Sequence, residues 1–406
     1  MFEQAISKEI FEKKYCIHGE TSVEEVFTGV AEEIASCEDE PHIWQDVFYE
    51  EMIEGKFLPA GRILANARLD SPMKNYMNCY VIPVTDSMEG IYTALKNDAL
   101  IGKMGGGVGF NISNLRPKNA SISKGGESSG PMSFLDIFDV SAKAIHTGGA
   151  RRSAHICIMD VSHPDIEEFV TYKKSNGKLT QFNISVGITD AFMLAVKYDM
   201  DWDLQFGGKV YKTVKARYLY DLITENMYEH NEPGVFFLDT VNDNNSGSYM
   251  YNINSPNPCG EEPLPDFGCC CLGALNLSAF VKEPFTDKAS FDYGEFIQSI
   301  HRAVRFLDNV LSTSDYPIPE IRKQVLSERR IGLGFTALAD TFTMMGMVYG
   351  SIESLRLSVL IGETLRNESY LASIELAIEK DTFPNYKHEI LECGFVSKLP
   401  EYIKEK

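Results

Sequence analysis

Six short runs between residues 78 and 278 constrain the fold of this chain more than any other feature. NCYVIPV, GVGFNIS, SAHICIMDV, QFNISVGIT, GVFFLD and CLGALNLS are rich in β-branched and apolar residues and are separated by Gly-containing turns and helices. The helical stretches between them include DSMEGIYTALKNDALIGKM and DAFMLAVKY. Strand alternating with helix is the pattern of an α/β sheet or barrel. The flanks read differently. Residues 1 to about 70 are predicted helical, with Ser22 and Glu25 as a capping box before Val23, Val26, Phe27, Val30, Ala31 and Ile34 at helical spacing. Beyond about residue 289 the chain is again predicted helical. Phe296, Ile297, Ile300, Val304, Leu307 and Leu311 form one stripe, and a long pattern from Ile352 to Glu379 forms another.

Charge and composition exclude several functions. The formal net charge of −20 over 406 residues opposes a nonspecific nucleic-acid surface, which needs a basic field. Small phosphorylated ligands stay open, because a few backbone N–H groups and local cations can hold a phosphate. No apolar run approaches the roughly 20 residues that span a bilayer. The start, MFEQAISKEIFEKKYC, lacks the apolar core of a signal peptide. A cytoplasmic protein with no membrane partner is expected. Nine cysteines, an odd count without secreted-scaffold spacing, then read as cytosolic thiols. Cys16, Cys37, Cys157 and Cys393 read as ordinary small apolar residues.

The chemistry concentrates in SPNPCGEEPLPDFGCCCLGALNLS, residues 255–278. Adjacent Cys269, Cys270 and Cys271 cannot easily chelate one tetrahedral ion, and no second CxxC or HxxxH pair completes a zinc site. In a strand, Cys270 would face one way and its two neighbours the other. Cys259 is different, since Pro258 and Gly260 confine it to a tight turn or loop tip. In an extended loop, Asn257 and Glu261 would share its face. An amide, a thiol and a carboxylate would then converge, giving a hydrogen-bonding group, a sulfur centre and a general base. GKMGGGVGF, residues 102–110, is neither a Walker A loop nor a dinucleotide fingerprint. It marks a sharp turn or a close backbone approach. HTGGARRSAH, residues 146–155, pairs a Gly-Gly hinge with Arg151 and Arg152, suited to a loop handling phosphate or a base, or to a hairpin with a solvated basic face.

In order along the chain, NCYVIPVTDSMEGIY, MGGGVGFNISNLRP, SSGPMSFLDIFDVSAKAIHTGGARRSAHICIMDVSHPDIEEF, FNISVGITDAFM, NPCGEEPL, CLGALNLS and RRIGLGFTALAD resemble the catalytic subunit of ribonucleotide reductase. The resemblance runs from about residue 71 to 400, and NPCGE with HPDIEEF is most similar to the adenosylcobalamin-dependent class. It implies a ten-stranded α/β barrel of two five-stranded halves, incomplete here over 71–406, behind a helical region 1–70. A finger loop would carry Cys259 as the thiyl radical that takes the 3′ hydrogen of the ribose. Glu261 would be the general base and Asn257 would hold the sugar. Cys79 and Cys270 would supply the reducing electrons, leaving a disulfide for a thioredoxin- or glutaredoxin-like reductant.

The resemblance further implies Asn78 and Gly107 beside the ribonucleotide substrate. Asp86, Ser87 and Arg116 would bind an allosteric deoxynucleoside triphosphate or ATP, whose identity the loop His146–Ser153, with Arg151, would relay. Asn78 stands where relatives often carry serine, and His146 and Ala150 depart from a more basic loop pattern, which bears on base preference. No ATP-cone motif is present. The later strands, a Pro-Thr-Gly phosphate loop and a cysteine tail are expected from a complementary C-terminal reductase fragment. Self-association into a homodimer is expected through helices flanking Asp86. Two alternatives stand beside this: the same reaction with a separate metal-containing radical subunit, and a noncatalytic nucleotide-binding derivative. The intact Asn257, Cys259 and Glu261 argue against the second.

Overall fold

All six β-rich runs form strands, and five of them join one sheet. These are β1 (Cys79–Val81), β2 (Gly107–Asn111), β3 (His155–Asp160), β4 (Phe182–Ile188) and β5 (Gly234–Phe237), in the order β1-β2-β3-β4-β5 with every pairing parallel. This is a computed structural model, and it describes residues 4–16, 19–68, 74–123, 125–145, 153–174 and 177–406. The chain divides into two compact units, one of Met1–Met77, Cys270–Lys387 and Lys398–Lys406, the other of Asn78–Cys269 and His388–Ser397.

In the second unit, parallel neighbours need crossovers, and helices Met88–Lys103, Pro131–Ala144 and Ile166–Thr171 provide the first three. A sheet that grows in one direction through right-handed crossovers collects its helices on one face. The register identifies that face. Val108, His155 and Phe182 align across three strands. His155 meets Asp98 of the first crossover helix at 2.8 Å, and Phe110 packs its ring 5.1 Å from that of Phe138 in the second. The opposite face carries Gly107, Gly109 and Asn111 of β2, with Ile156 of β3 and Asn183 of β4 aligned beside Gly109. β2 is buried on both faces, as a covered parallel sheet requires. Between β4 and β5 lies an antiparallel hairpin, Asp201–Phe206 with Lys209–Lys215, closed by Gly207 and Gly208 at positive φ. The strand-and-helix reading above omits it, although Gly-Gly between alternating runs is a hairpin signal.

In the first unit the N-terminal helices are Ala5–Lys14, Val23–Ala35, Pro41–Ile53 and Gly61–Asn66. Ser22 caps the second, its Oγ accepting the Glu25 N–H at 3.2 Å, while the Glu25 carboxylate accepts the Thr21 N–H at 2.7 Å. The sixth run, Leu272–Asn276, does not extend the five-stranded sheet. It pairs antiparallel with Phe57–Pro59 and parallel with Gly332–Thr336. The two later stripes form helices Tyr293–Thr313 and Ile352–Lys380. Glu38 ties this unit together, accepting from Asn309 at 2.8 Å, Lys380 at 2.9 Å and Arg305 at 3.4 Å. The Arg305 guanidinium also lies 4.0 Å over the Trp44 ring.

Candidate active site

Cys259 stands at the tip of a small hairpin. Ser255–Pro256 pairs antiparallel with Pro263–Leu264. Two prolines end that ladder, because neither has an N–H to offer. Asn257 closes the tip instead. Its N–H donates to the Glu262 carbonyl at 3.0 Å, and its Oδ1 accepts the Glu262 N–H at 3.0 Å. The Gly260 N–H donates to the Asn257 carbonyl at 2.9 Å, making a β-turn with Pro258 at its second position. Gly260 has φ +85°, a conformation that favours glycine.

The turn differs from the extended loop expected from alternation. Asn257 and Pro258 are buried, whereas Cys259, Gly260 and Glu261 are exposed. The common face of amide, thiol and carboxylate is therefore not formed by simple alternation. Asn257 instead turns inward beneath the tip, because its Oδ1 is committed to Glu262. Its Nδ2 is buried and has no hydrogen-bond partner among the described residues.

The glycine-rich stretch supplies the seat for this hairpin. A Cβ on Gly107 would lie 2.8 Å from Pro258 Cγ, and one on Gly109 would lie 2.0 Å from the Pro256 carbonyl oxygen. The close approach read from GKMGGGVGF is thus made by the hairpin. Gly107 also donates its N–H to the Asn78 carbonyl at 2.9 Å. Cys79 opens β1 in register with Gly107, so its side chain lies on the hairpin face of the sheet. It is buried, at 6% exposure.

The three adjacent cysteines separate by environment. Cys269 bridges to Tyr80 across the outer edge of β1, supported by Val81 N–H donating to the Gly268 carbonyl at 3.1 Å. Opposed residues share a face, so Cys269 lies on the side of Tyr80, away from Cys79. Cys271 donates its thiol to the Leu307 carbonyl at 3.5 Å, a core contact in the first unit. Cys270 is buried at 1% exposure and opens that same unit. Among the described residues no group of three or more His, Cys, Asp or Glu is placed to hold a metal ion.

Asp86, Ser87 and Arg116 come together beyond the C-terminal ends of β1 and β2, the opposite ends from Cys79 and Gly107. Asp86 accepts from Arg116 Nε at 2.9 Å and from the Arg116 N–H at 3.2 Å. Ser87 caps helix Met88–Lys103, its Oγ accepting the Gly90 N–H at 3.0 Å. A helix N-terminus beside a half-exposed guanidinium suits an anion. Arg151 lies outside the described residues. Ser153, at the end of its loop, donates to the Gly106 carbonyl at 2.6 Å.

The buried His155–Asp98 pair was not read from sequence. Both side chains are 1% exposed, and His155 stacks on Phe182 at 4.8 Å. No spacing rule links residues so far apart in the chain.

Residues 1–72 match the ribonucleotide reductase all-alpha domain, and residues 77–401 match the ribonucleotide reductase barrel domain. A vitamin B12-dependent ribonucleoside-diphosphate reductase of Thermoplasma acidophilum is 39% identical over 341 residues, covering 83% of this chain and 44% of the relative. A protein of the same description from Mycobacterium tuberculosis is 35% identical over 391 residues, covering 93% of this chain and 56% of the relative. A vitamin B12-dependent ribonucleotide reductase of Streptomyces avermitilis is 31% identical over 334 residues, covering 76% and 35%. The chain spans about half the length of the first two of these relatives. By its two domain matches and these relatives, the chain belongs to the ribonucleotide reductase large-subunit family.

Proposed function

We propose that this chain is the larger catalytic piece of a cytosolic ribonucleotide reductase, acting on ribonucleoside diphosphates with adenosylcobalamin as radical source. The observation that carries the proposal is an exposed cysteine at a hairpin tip, seated on the sheet face that bears buried Cys79. Relatives named as vitamin B12-dependent support the cofactor. The tip suits it, because Cys259, Gly260 and Glu261 are all exposed there. When bound, adenosylcobalamin supplies an organic radical that takes a hydrogen atom from a thiol.

Cys259, as the thiyl, removes the ribose 3′ hydrogen reversibly, since S–H and ribose C–H bonds are close in strength. Glu261 takes the 3′ hydroxyl proton. The unpartnered Nδ2 of Asn257 is the donor for the sugar. The 2′ hydroxyl leaves as water while Cys79 and Cys270 give two electrons and two protons, and Cys259 returns the 3′ hydrogen. Cys269 faces away from Cys79, which argues against Cys269 as the partner. The resulting disulfide is reduced by a thioredoxin- or glutaredoxin-like dithiol. Asn78, Gly107 and Arg151 contact the substrate side. Asp86, Ser87 and Arg116 hold the effector, a deoxynucleoside triphosphate or ATP.

The helical region 1–70 precedes a barrel domain over 71–406 that is the first half of a ten-stranded barrel. A radical thiol needs a dry cavity, and an exposed Cys259 calls for a further wall. A complementary C-terminal fragment is that wall, and helices flanking Asp86 form a homodimer contact. The experiment assays residues 1–406 with adenosylcobalamin and a dithiol, alone and with the fragment. Turnover is expected only with the fragment and is lost in Cys259→Ser. Substantial deoxyribonucleotide production by Cys259→Ser would overturn the mechanism.

A further inference from the structure

The limb leading to the hairpin tip, residues 254–258, is held on the sheet at both ends by side-chain amides. Asn111 of β2, on the face of Gly107 and Gly109, donates from Nδ2 to the Asn254 carbonyl at 2.8 Å. Its Oδ1 accepts the Ser113 N–H at 2.9 Å, which fixes the amide with its nitrogen toward the limb. Asp160 Oδ1 is a second acceptor for that nitrogen at 3.3 Å. At the far end, Asn183 of β4 donates from Nδ2 to the Pro258 carbonyl at 3.1 Å. That carbonyl belongs to the peptide joining Pro258 to Cys259. Between the two amides lie Gly107 and Gly109, which offer the limb no interlocking side chain.

We infer that Asn111 and Asn183 are positioning residues that set where the Cys259 thiol sits. The inference rests on Cys259 as the reacting thiol. Both act through the backbone of the limb, and Asn183 has the greater leverage because it holds the Cys259 peptide itself. Hydrogen transfer tolerates little error, and a misplacement of about 1 Å costs roughly a hundredfold in rate. A pair of directional hydrogen bonds therefore does here what shape complementarity does elsewhere.

The test uses the 406-residue chain carrying Asn183→Asp, which keeps the side-chain shape and replaces a donor by an acceptor. Iodoacetamide labelling of Cys259, read by peptide mass spectrometry, is compared with labelling of exposed Cys37 in the same molecule. Hydrogen exchange follows the Gly260 and Glu262 amides, which report on the turn. The Cys259-to-Cys37 ratio and both exchange rates are expected to change about threefold or more, the scale of one lost hydrogen bond in a local opening. With the complementary fragment present, kcat falls roughly a hundredfold while KM holds. Asn183→Ala and Asn111→Ala carry the same readouts if Asn183→Asp does not fold. Folded variants with wild-type labelling ratio and exchange would overturn the inference. Turnover retained in Cys259→Ser would instead remove the role of Cys259, and the labelling result would still decide whether the amides hold the tip.

Discussion

Gly109→Ala tests how closely the hairpin is seated. The new methyl would lie 2.0 Å from the Pro256 carbonyl oxygen, 3.1 Å from its carbon and 3.3 Å from Ile156 Cγ2. A carbon and a carbonyl oxygen rest at about 3.3–3.6 Å, so the limb must retreat by more than ~1 Å. Both neighbours are constrained. Pro256 is paired with Pro263, and Ile156 sits in β3. Overpacking of this kind costs about 1–3 kcal/mol. Alanine gains about 0.4–1 kcal/mol through the unfolded chain, since Gly109 is not in the left-handed region. The net expectation is a loss of roughly 1–2 kcal/mol, or undocking of the hairpin at lower cost. Gly362→Ala is the control, because nothing lies within 4 Å of a Cβ there and helix Ile352–Lys380 should gain about 0.8–1 kcal/mol. Urea denaturation reads the global change and hydrogen exchange at Asn257 and Glu262 reads the hairpin. Wild-type stability together with wild-type exchange in Gly109→Ala would refute the seating argument.

Glu38→Ala removes the buried acceptor shared by Asn309, Lys380 and Arg305, while Arg305 keeps its pairing with Glu379, and loss of about 1–3 kcal/mol is expected in the first unit, measured by exchange in helix Tyr293–Thr313. His163 is buried, with Nε2–H donating to the Leu115 carbonyl at 2.9 Å and Nδ1 accepting the Asp165 N–H at 3.1 Å. Burial holds its pKa below the ordinary histidine value, so its stabilising contribution is present above about pH 6.5 and is lost as pH falls through the depressed value. His163→Gln should flatten that acid limb in denaturation curves compared between pH 5 and 8, and an unchanged limb would exclude His163 as its source. Arg116→Ala should weaken effector binding about tenfold to a hundredfold by calorimetry, the value of a charge-assisted phosphate contact, and unchanged affinity would remove this site.

The strands were legible because each run is rich in β-branched and apolar residues and is set off by Gly-containing turns, and helical spacing fills the gaps. The end of the sixth run's membership was not legible. Leu272–Asn276 looks like its five predecessors, yet its partners are Phe57–Pro59 and Gly332–Thr336, which only tertiary pairing reveals. The tip at Pro258–Gly260 followed from proline and glycine chemistry. The inward turn of Asn257 did not, because it depends on one side-chain bond to Glu262. Gly107 and Gly109 announced a close approach but not its occupant, which comes from more than 140 residues downstream. Asn111 and Asn183 gave no signal at all, since each is an unremarkable polar residue until β2 and β4 place it on the hairpin face.

The order β1-β2-β3-β4-β5 matches the order in which the strands leave the ribosome, so each can add to an edge already made. The hairpin cannot join until later. Sixty-five residues separate Ile188 from Asn254. At ~5–20 residues per second, this leaves the Gly107–Gly109 face without its hairpin for roughly 3 to 13 s of synthesis. During that interval a bare stripe of glycine backbone beside Ile156 and Ile158 is open to whatever extended segment arrives first. β2 is already paired on both sides, so that face offers packing but no ladder, and the prolines at 256, 258 and 263, which cannot donate to a ladder, also keep the limb from adding to an open edge of the sheet as an extra strand. The same residues that shape the tip in the finished protein thus guard the nascent chain against a wrong pairing.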